Sequence, residues 1–243
     1  FRKRDDKGAA MIGFRAFPFF LLFAIILVVH PKSREDKKPA KERTSMSGKS
    51  KSFYQGHASL RFTTAEGQVI YVDPYVGEGY DKPADFLLVT HQHYDHNVVG
   101  KVTQKPDCFI VTNEEALEGG VHQTFERNGV KITAVRAENK NHDPKKCVGF
   151  LLEFDGLKIY CAGDTSMTED MAKMKAMNLD YALLPVDGIY NMDAEEASRC
   201  AELIGAKTTI PIHTNPEGFK IEVAKRLRCD SRRIVHPGEE IDL

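Results

Sequence analysis

From residue 52 onward, short apolar runs alternate with polar breaks, and the two periodicities of strand and helix can be told apart. Residues 52–64, SFYQGHASLRFTT, alternate as two strands broken at Gly56, and residues 68–75, QVIYVDPY, read as a strand that stops at Pro74. Residues 84–91, ADFLLVTH, and 181–186, YALLPV, are apolar at nearly every position, as strands buried on both faces are. Residues 108–112, CFIVT, have the same character and lead into a short helical piece, NEEALEG. Strands are predicted at 130–137, 147–154 and 157–163, the last two joined by Asp155-Gly156, a strong hairpin signal. Helices are predicted at 168–178 and, with amphipathic spacing, at 192–206, where Asp193 suits the N-cap and Glu196 the return half of a capping box. A strand at 208–213, a helix at 219–228 and a terminal strand with a turn at 232–243 close the chain. Strands dominate first and then alternate with helices, which predicts two stacked sheets covered by outer helices in an α/β layered domain.

The pattern before residue 50 is different. Residues 16–29 form an apolar run of 14 residues, short against the roughly 20 that a spanning helix needs. Basic residues precede the run, no clean cleavage site follows it, and residues 31–51 are rich in Lys, Arg, Glu and Ser. The expected organisation is an N-terminal extension at 1–50, with a folded domain at 51–243. The extension reads as a retained membrane anchor, a poor signal peptide, or sequence ahead of a true start at Met46, the reading favoured here because nothing before residue 50 can join a core.

Composition narrows the function. The net charge of −1 argues against a nucleic-acid partner. Five scattered cysteines with no C-x-x-C pair argue against a disulfide framework or a thiolate zinc site and favour a reducing, cytoplasmic setting, with membrane association expected only if residues 16–29 are retained. Nothing in the composition sets an oligomeric state.

Chemistry concentrates in THQHYDH, residues 90–96. His91 and His93, at i and i+2 of an extended segment, point to one side and can grip one ion, whereas Asp95 and His96 are displaced toward a neighbouring position. That spacing suggests two adjacent ions. Further donors stand where strands end: His142 in the loop ENKNHDP, Asp164 after LKIYCAG, and His213 after TTIPI. Imidazole and carboxylate donors without thiolate suit Zn²⁺, and also Mn²⁺ or Fe²⁺.

The motif T-H-x-H-x-D-H at 90–96, the lone His142, G-D-T at 163–165 and P-I-H at 211–213 resemble the metallo-β-lactamase fold superfamily over roughly residues 53–243. GHAS at 56–59, VDPY at 72–75 and the closing PGEEIDL are most similar to small single-domain metal-dependent hydrolases related to ascorbate-6-phosphate lactonase. The resemblance implies an αββα sandwich. It also implies that His91, His93 and His142 hold one divalent ion, that Asp95, His96 and His213 hold a second, and that Asp164 bridges them. Two ions about 3.5–4 Å apart would share a bridging hydroxide that attacks a carbonyl or phosphoryl centre. The expected activity is hydrolysis of a small polar substrate (a lactone, ester or phosphate ester), with Asp95 and Asp164 as the catalytic carboxylates. Asp73 is read as a partner that orients a ligand imidazole. His57 reads equally as a substrate contact or a turn cap, and Tyr190 and Met192 as pocket lining or a helix-entry turn.

Other readings stand beside these. His122 rivals His142 as a ligand. Lys101, Lys140, Lys145 and Lys146 could receive an anionic substrate, although loop lysines are usually only solvated. His30 and His236 look incidental, and Met171, Met174 and Met177, at helical spacing, read as core. A nuclease or phosphodiesterase of the same fold and a non-catalytic metal-binding protein are the alternative functions, and an iron oxidoreductase is less favoured because no flavin domain accompanies the site.

Overall fold

In the computed structural model, which describes residues 48–243, the apolar runs become strands of two six-stranded sheets. The first contains β1 (Lys51–Gly56), β2 (Ser59–Thr63), β3 (Val69–Val72), β4 (Ala84–Leu88) and β5 (Gln104–Val111). After helix α1 (Asn113–Ala116), strands β6 (Thr124–Arg127), β7 (Val130–Arg136), β8 (Val148–Phe154) and β9 (Leu157–Cys161) begin the second. Helix α2 (Met171–Met174), strand β10 (Tyr181–Pro185), helix α3 (Ala194–Ile204), strand β11 (Thr208–Ile212) and helix α4 (Ile221–Ala224) follow, and β12 (Glu240–Asp242) returns to the first sheet. The orders are β12-β1-β2-β3-β4-β5 and β11-β10-β9-β8-β7-β6. Both sheets are mixed. β3, β4 and β5 run parallel in one, and β9, β10 and β11 in the other.

The all-apolar runs are strands that bury both faces. In β3, Ile70 and Val72 point into the layer between the sheets, while Val69 and Tyr71 pack on the outer side with Leu87 and Val102. In β9 and β10, Ile159, Cys161 and Leu183 face the same inner layer, and Tyr160, Ala182 and Leu184 meet α2 and α3 outside. The expected two-sheet sandwich with outer helices is thus present, with few helices and the larger helical cover on the second sheet. Pro211 is tolerated because β11 is an edge strand, where the missing N–H leaves no ladder bond unmade.

Several local details depart from expectation. Asp155 and Gly156 both adopt positive φ, as their hairpin requires, but Asn128-Gly129 does the same, closing a second hairpin with a strand, β6, that the periodicity does not announce. The side chain of Asp193 caps α3 by accepting from Glu196 N, but the Glu196 carboxylate accepts from Met167 N instead of closing a capping box. A complete box forms at Thr112 and Glu115. The helices expected at 168–178 and 219–228 shorten to α2 with a following 3₁₀ turn and to α4. Met171 and Met174 are core, whereas Met177 is exposed.

The described residues belong to one compact unit, Ser45–Leu243. Residues 1–47, with the apolar segment 16–29, His30 and the Met46 start, lie outside the described residues. Among the described residues no helix is long and apolar enough to cross a membrane. All five cysteines are free.

Candidate metal centre

Parallel neighbours end on the same side, so loops leaving β3, β4, β9, β10 and β11 deliver their residues to one rim of the sandwich. Asp73 follows β3, the segment His91–His96 follows β4, Asp164 follows β9 and His213 follows β11. His142 arrives from the β7–β8 connection and His57 from the β1–β2 turn. His57, Asp73 and His213 all hold positive φ, a conformation that costs about 1 kcal/mol or more for a residue with a Cβ and collects at functional sites.

The donor atoms fall into adjoining groups. His91 Nε2 and His142 Nε2 lie 3.0 Å and 3.2 Å from His93 Nδ1, so three imidazole nitrogens converge on one point. His57, Asp95, His96 and His213 form a second cluster, and His91, His96 and Asp164 a third that overlaps both. Asp164 sits between them. Its Oδ2 is 3.4 Å from His142 Nε2 and 3.5 Å from His213 Nε2, and its Oδ1 is 3.3 Å from His96 Nε2.

The far side of four of the rings is held. His96 Nδ1 lies 3.0 Å from Asp73 Oδ2, and Asp73 also accepts from Thr90 N and Oγ1. His91 Nδ1 faces Thr90 Oγ1 at 3.0 Å, and His142 Nδ1 faces Asn139 Oδ1 at 2.8 Å. His213 Nδ1 lies 2.7 Å from Asp187 Oδ2. These contacts leave the opposite nitrogens directed inward, which is how ligating imidazoles are oriented.

Electrostatics favour a cation. Burial pushes His91 down to about 2 and also lowers His142 and His57, keeping them neutral with a free lone pair. Burial would raise Asp164, but the charges of His96 and His213 hold it well below the usual carboxylate range. Burial would lower His96, but Asp164 and Asp73 drive it well above the ordinary imidazole value. Among the described residues no lysine or arginine pairs with Asp73, Asp95, Asp164 or Asp187. Buried carboxylates without such partners demand positive charge from elsewhere. His96 Nε2, Asp164 Oδ1 and both ring nitrogens of His213 are buried and make no aligned hydrogen bond among the described residues, Asp187 Oδ2 meeting His213 Nδ1 as a close ion-pair contact at 2.7 Å. Unmade bonds of this kind are costly unless a ligand completes them, so the donor set fits divalent metal.

The rival His122 is exposed and joins none of these groups. Lys101 Nζ donates to Tyr75 O at the protein's own surface and Lys140 is exposed, whereas Lys145 and Lys146 line a cavity of about 580 Å³ beside His91, His93 and His142. Tyr190 is about half exposed and Met192 is buried. Asp187 has no counterpart in the sequence reading. It ends β10 as Asp73 ends β3 and Asp164 ends β9, so the strand-end rule applied to LLPVDG would have found it.

The sandwich and its rim define a β-lactamase superfamily domain, and the profile of that family, "Beta-lactamase superfamily domain", matches residues 53–213. A UPF0173 metal-dependent hydrolase of Methanoregula boonei is 31% identical over 215 residues, covering 77% of this chain and 96% of the relative. One from Pyrococcus abyssi is 31% identical over 222 residues, covering 78% and 98%. Among solved structures, a Parabacteroides distasonis protein provisionally classed as a metal-dependent hydrolase is 30% identical, with a TM-score of 0.67 and coverage of 79% and 96%. The metallo hydrolase Igni18 of Ignicoccus hospitalis, 21% identical with a TM-score of 0.64 and coverage of 81% and 99%, shares the fold. The chain therefore belongs to the β-lactamase superfamily and, within it, to the UPF0173 metal-dependent hydrolases. It is a metal-dependent hydrolase.

Proposed function

We propose that the enzyme works with two divalent ions on a small polar substrate with a carbonyl or phosphoryl centre, such as a lactone, ester or phosphate ester. The observation that carries this reading is the position of Asp164, with its carboxylate oxygens 3.3–3.5 Å from nitrogens of both histidine groups. His91, His93 and His142 would hold one ion, Asp95, His96 and His213 the other, and Asp164 would serve both. Imidazole and carboxylate donors favour zinc, with manganese and iron also accommodated. Bound there, the ions supply Lewis acidity and lower the pKa of water toward neutrality.

The chain's own residues do the rest. Asp73, Asn139, Thr90 and Asp187 fix the ring orientations, so no reorganisation is needed when substrate arrives. Asp95 is held down to about 2: burial would raise it, and the contact with His57 at 3.2 Å outweighs that. It stays ionised as a donor and an acceptor that steers the attacking group. Lys145, Lys146, Asn113 and Asn141 offer polar contacts to the substrate in the neighbouring cavity. The working unit is the domain at 51–243.

The test is metal content per chain by elemental analysis on the full-length protein, with hydrolysis of lactones, phosphomonoesters and phosphodiesters measured on the same sample. About two ions per chain are expected. His93→Ala and Asp164→Ala should fold, shown by an unchanged circular dichroism spectrum, and lose turnover. A variant with full turnover and no metal would overturn the reading.

A further inference from the structure

The two flanks of the centre are chemically unlike. Beside His91, His93 and His142 the cavity wall carries charged and amide groups, Lys145 and Lys146 together with Glu114 and Asp143, and Asn113 and Asn141. On the other flank, where His57 stands, lies a recess of about 320 Å³ whose walls are Tyr75, Val76, Pro216, Phe219 and Pro237. Its one charged lining residue, Glu217, is exposed, and Gln55 adds an amide whose Nε2 and Oε1 are buried and make no hydrogen bond among the described residues. Its volume is at the small end of ligand sites, which span roughly 300–1,000 Å³.

The recess adjoins the centre directly. The His57 ring belongs both to the recess and to the cluster with Asp95, His96 and His213. It lies 3.6 Å from the His213 ring, centroid to centroid, and meets Tyr75 edge-on at 5.4 Å. A group seated in the recess is therefore one imidazole away from the second set of donors.

Both walls are built in advance. Tyr75 N donates to Tyr80 Oη, which donates to Val76 O, and Lys101 Nζ donates to Tyr75 O. The next residue, Gly77, presses on β1 so closely that a Cβ would stand 2.1 Å from Gln55 O. Opposite, Gly218 N donates to Asn215 O and Lys220 N to Thr214 Oγ1, and Phe219 packs edge-on to Tyr54 and His236. A preformed apolar wall binds without first ordering its own side chains.

We propose that this recess is the subsite for an apolar substituent of the substrate. The substrate is then a small amphipathic molecule: an aryl or branched alkyl group enters beside His57, and the polar remainder lies toward Lys145 and Lys146. The proposal rests on the metal-centre reading given above.

Methylphosphonate and phenylphosphonate separate the two ideas, with binding to the metal-loaded full-length protein measured by titration calorimetry. The phenyl compound should bind about tenfold more tightly. Val76→Phe, which fills the recess, should bring the two within about twofold by removing the gain from phenyl burial, with methylphosphonate unchanged. Val76→Ser, which adds no volume, should weaken the preference in a protein of unaltered circular dichroism. Leu117→Phe, in the polar cavity, should leave the preference intact. Equal binding of the two probes, or a preference lost in Leu117→Phe and kept in Val76→Phe, would overturn the subsite alone. Methylphosphonate binding that is absent, or that persists without metal, would overturn the metal-centre reading and the subsite with it.

Discussion

Replacing Asp187 by Asn tests whether the second group of donors depends on a residue that touches no ion. Its carboxylate is wholly buried, accepts from the backbone N–H of Ile189, Tyr190 and Asn191, and lies 2.7 Å from His213 Nδ1. Asn keeps one oxygen for the loop and removes the charge that faces the imidazole. Burial alone would raise Asp187, yet the His213 contact and the loop N–H groups hold it down to about 2 from an ordinary value of 3.8. At about 1.4 kcal/mol per tenfold change in acidity, that corresponds to roughly 2 kcal/mol favouring the ionised form. The loop N–H bonds survive in Asn, so only part of this acts through His213, and a metal ion held by His213 should bind about tenfold more weakly, the lower end of the 10–100-fold range typical of partners to ligating imidazoles. The assay is competition for zinc against a chromogenic chelator, which resolves the two affinities, with a thermal melt on the same protein. Tight binding at the first group and weakened binding at the second is expected. Twofold or smaller effects on both ions, or a loss at the first group, would refute the argument that Asp187 orients His213.

Other consequences are equally direct. Asp187 lies low when folded, so its contribution to stability is complete above its unfolded value near 4 and disappears as pH falls through about 2; acid titration of the melting temperature in Asp187→Asn should lack that part of the wild-type decline. Stripping metal with a chelator should abolish hydrolysis and lower the melting temperature, with zinc restoring both, since a ligand at about 1,000 times its Kd stabilises by about 4 kcal/mol. Gly77→Ala should cost more than Gly129→Ala in urea melts. Both residues have positive φ, costing about 1–2 kcal/mol, but the added Cβ meets Gln55 O in the first case and nothing within 4 Å in the second; equal losses would remove the close-approach argument. Phe150→Ala, in the layer between the sheets, should destabilise by about 3–5 kcal/mol in the same melts.

Much of this molecule can be read along the chain because its strands are buried on both faces, so LLV, IYC and ALL stand out as unbroken apolar runs. The exposed edge is harder. Strand β6, TFER, buries no residue fully, alternating exposed Thr124 and Glu126 with half-buried Phe125 and Arg127, and Asn128-Gly129 is its sole loud signal. Residues 90–96 announce a metal centre because four donors lie in local register after one strand. Asp187 and Asn139 are silent because each earns its role only through a contact across the fold, with His213 and His142 respectively. Glu196 shows the same limit in reverse: its spacing fits a local capping box, but a tertiary neighbour, Met167 N, claims the carboxylate. His57 shows how a residue can be noticed without its surroundings being legible, since its neighbours Asp95 and His213 lie far along the chain.

The rim is furnished by both halves of the sandwich. His91, His93, Asp95 and His96 hang from the first sheet, while Asp164 and His213 hang from the second, and His213 follows the eleventh of twelve described strands. During synthesis, no emerging fragment that stops short of β11 can offer the complete set of donors. If the centre fills as proposed, metal acquisition would be a late checkpoint: a chain that had captured metal through donors of both sheets would already have docked its two halves. Bound metal would then act as a clasp at one rim of the sandwich, opposite the rim where Asp155 accepts from Ser50 and Ala65 and Asn128 O accepts from Gln68.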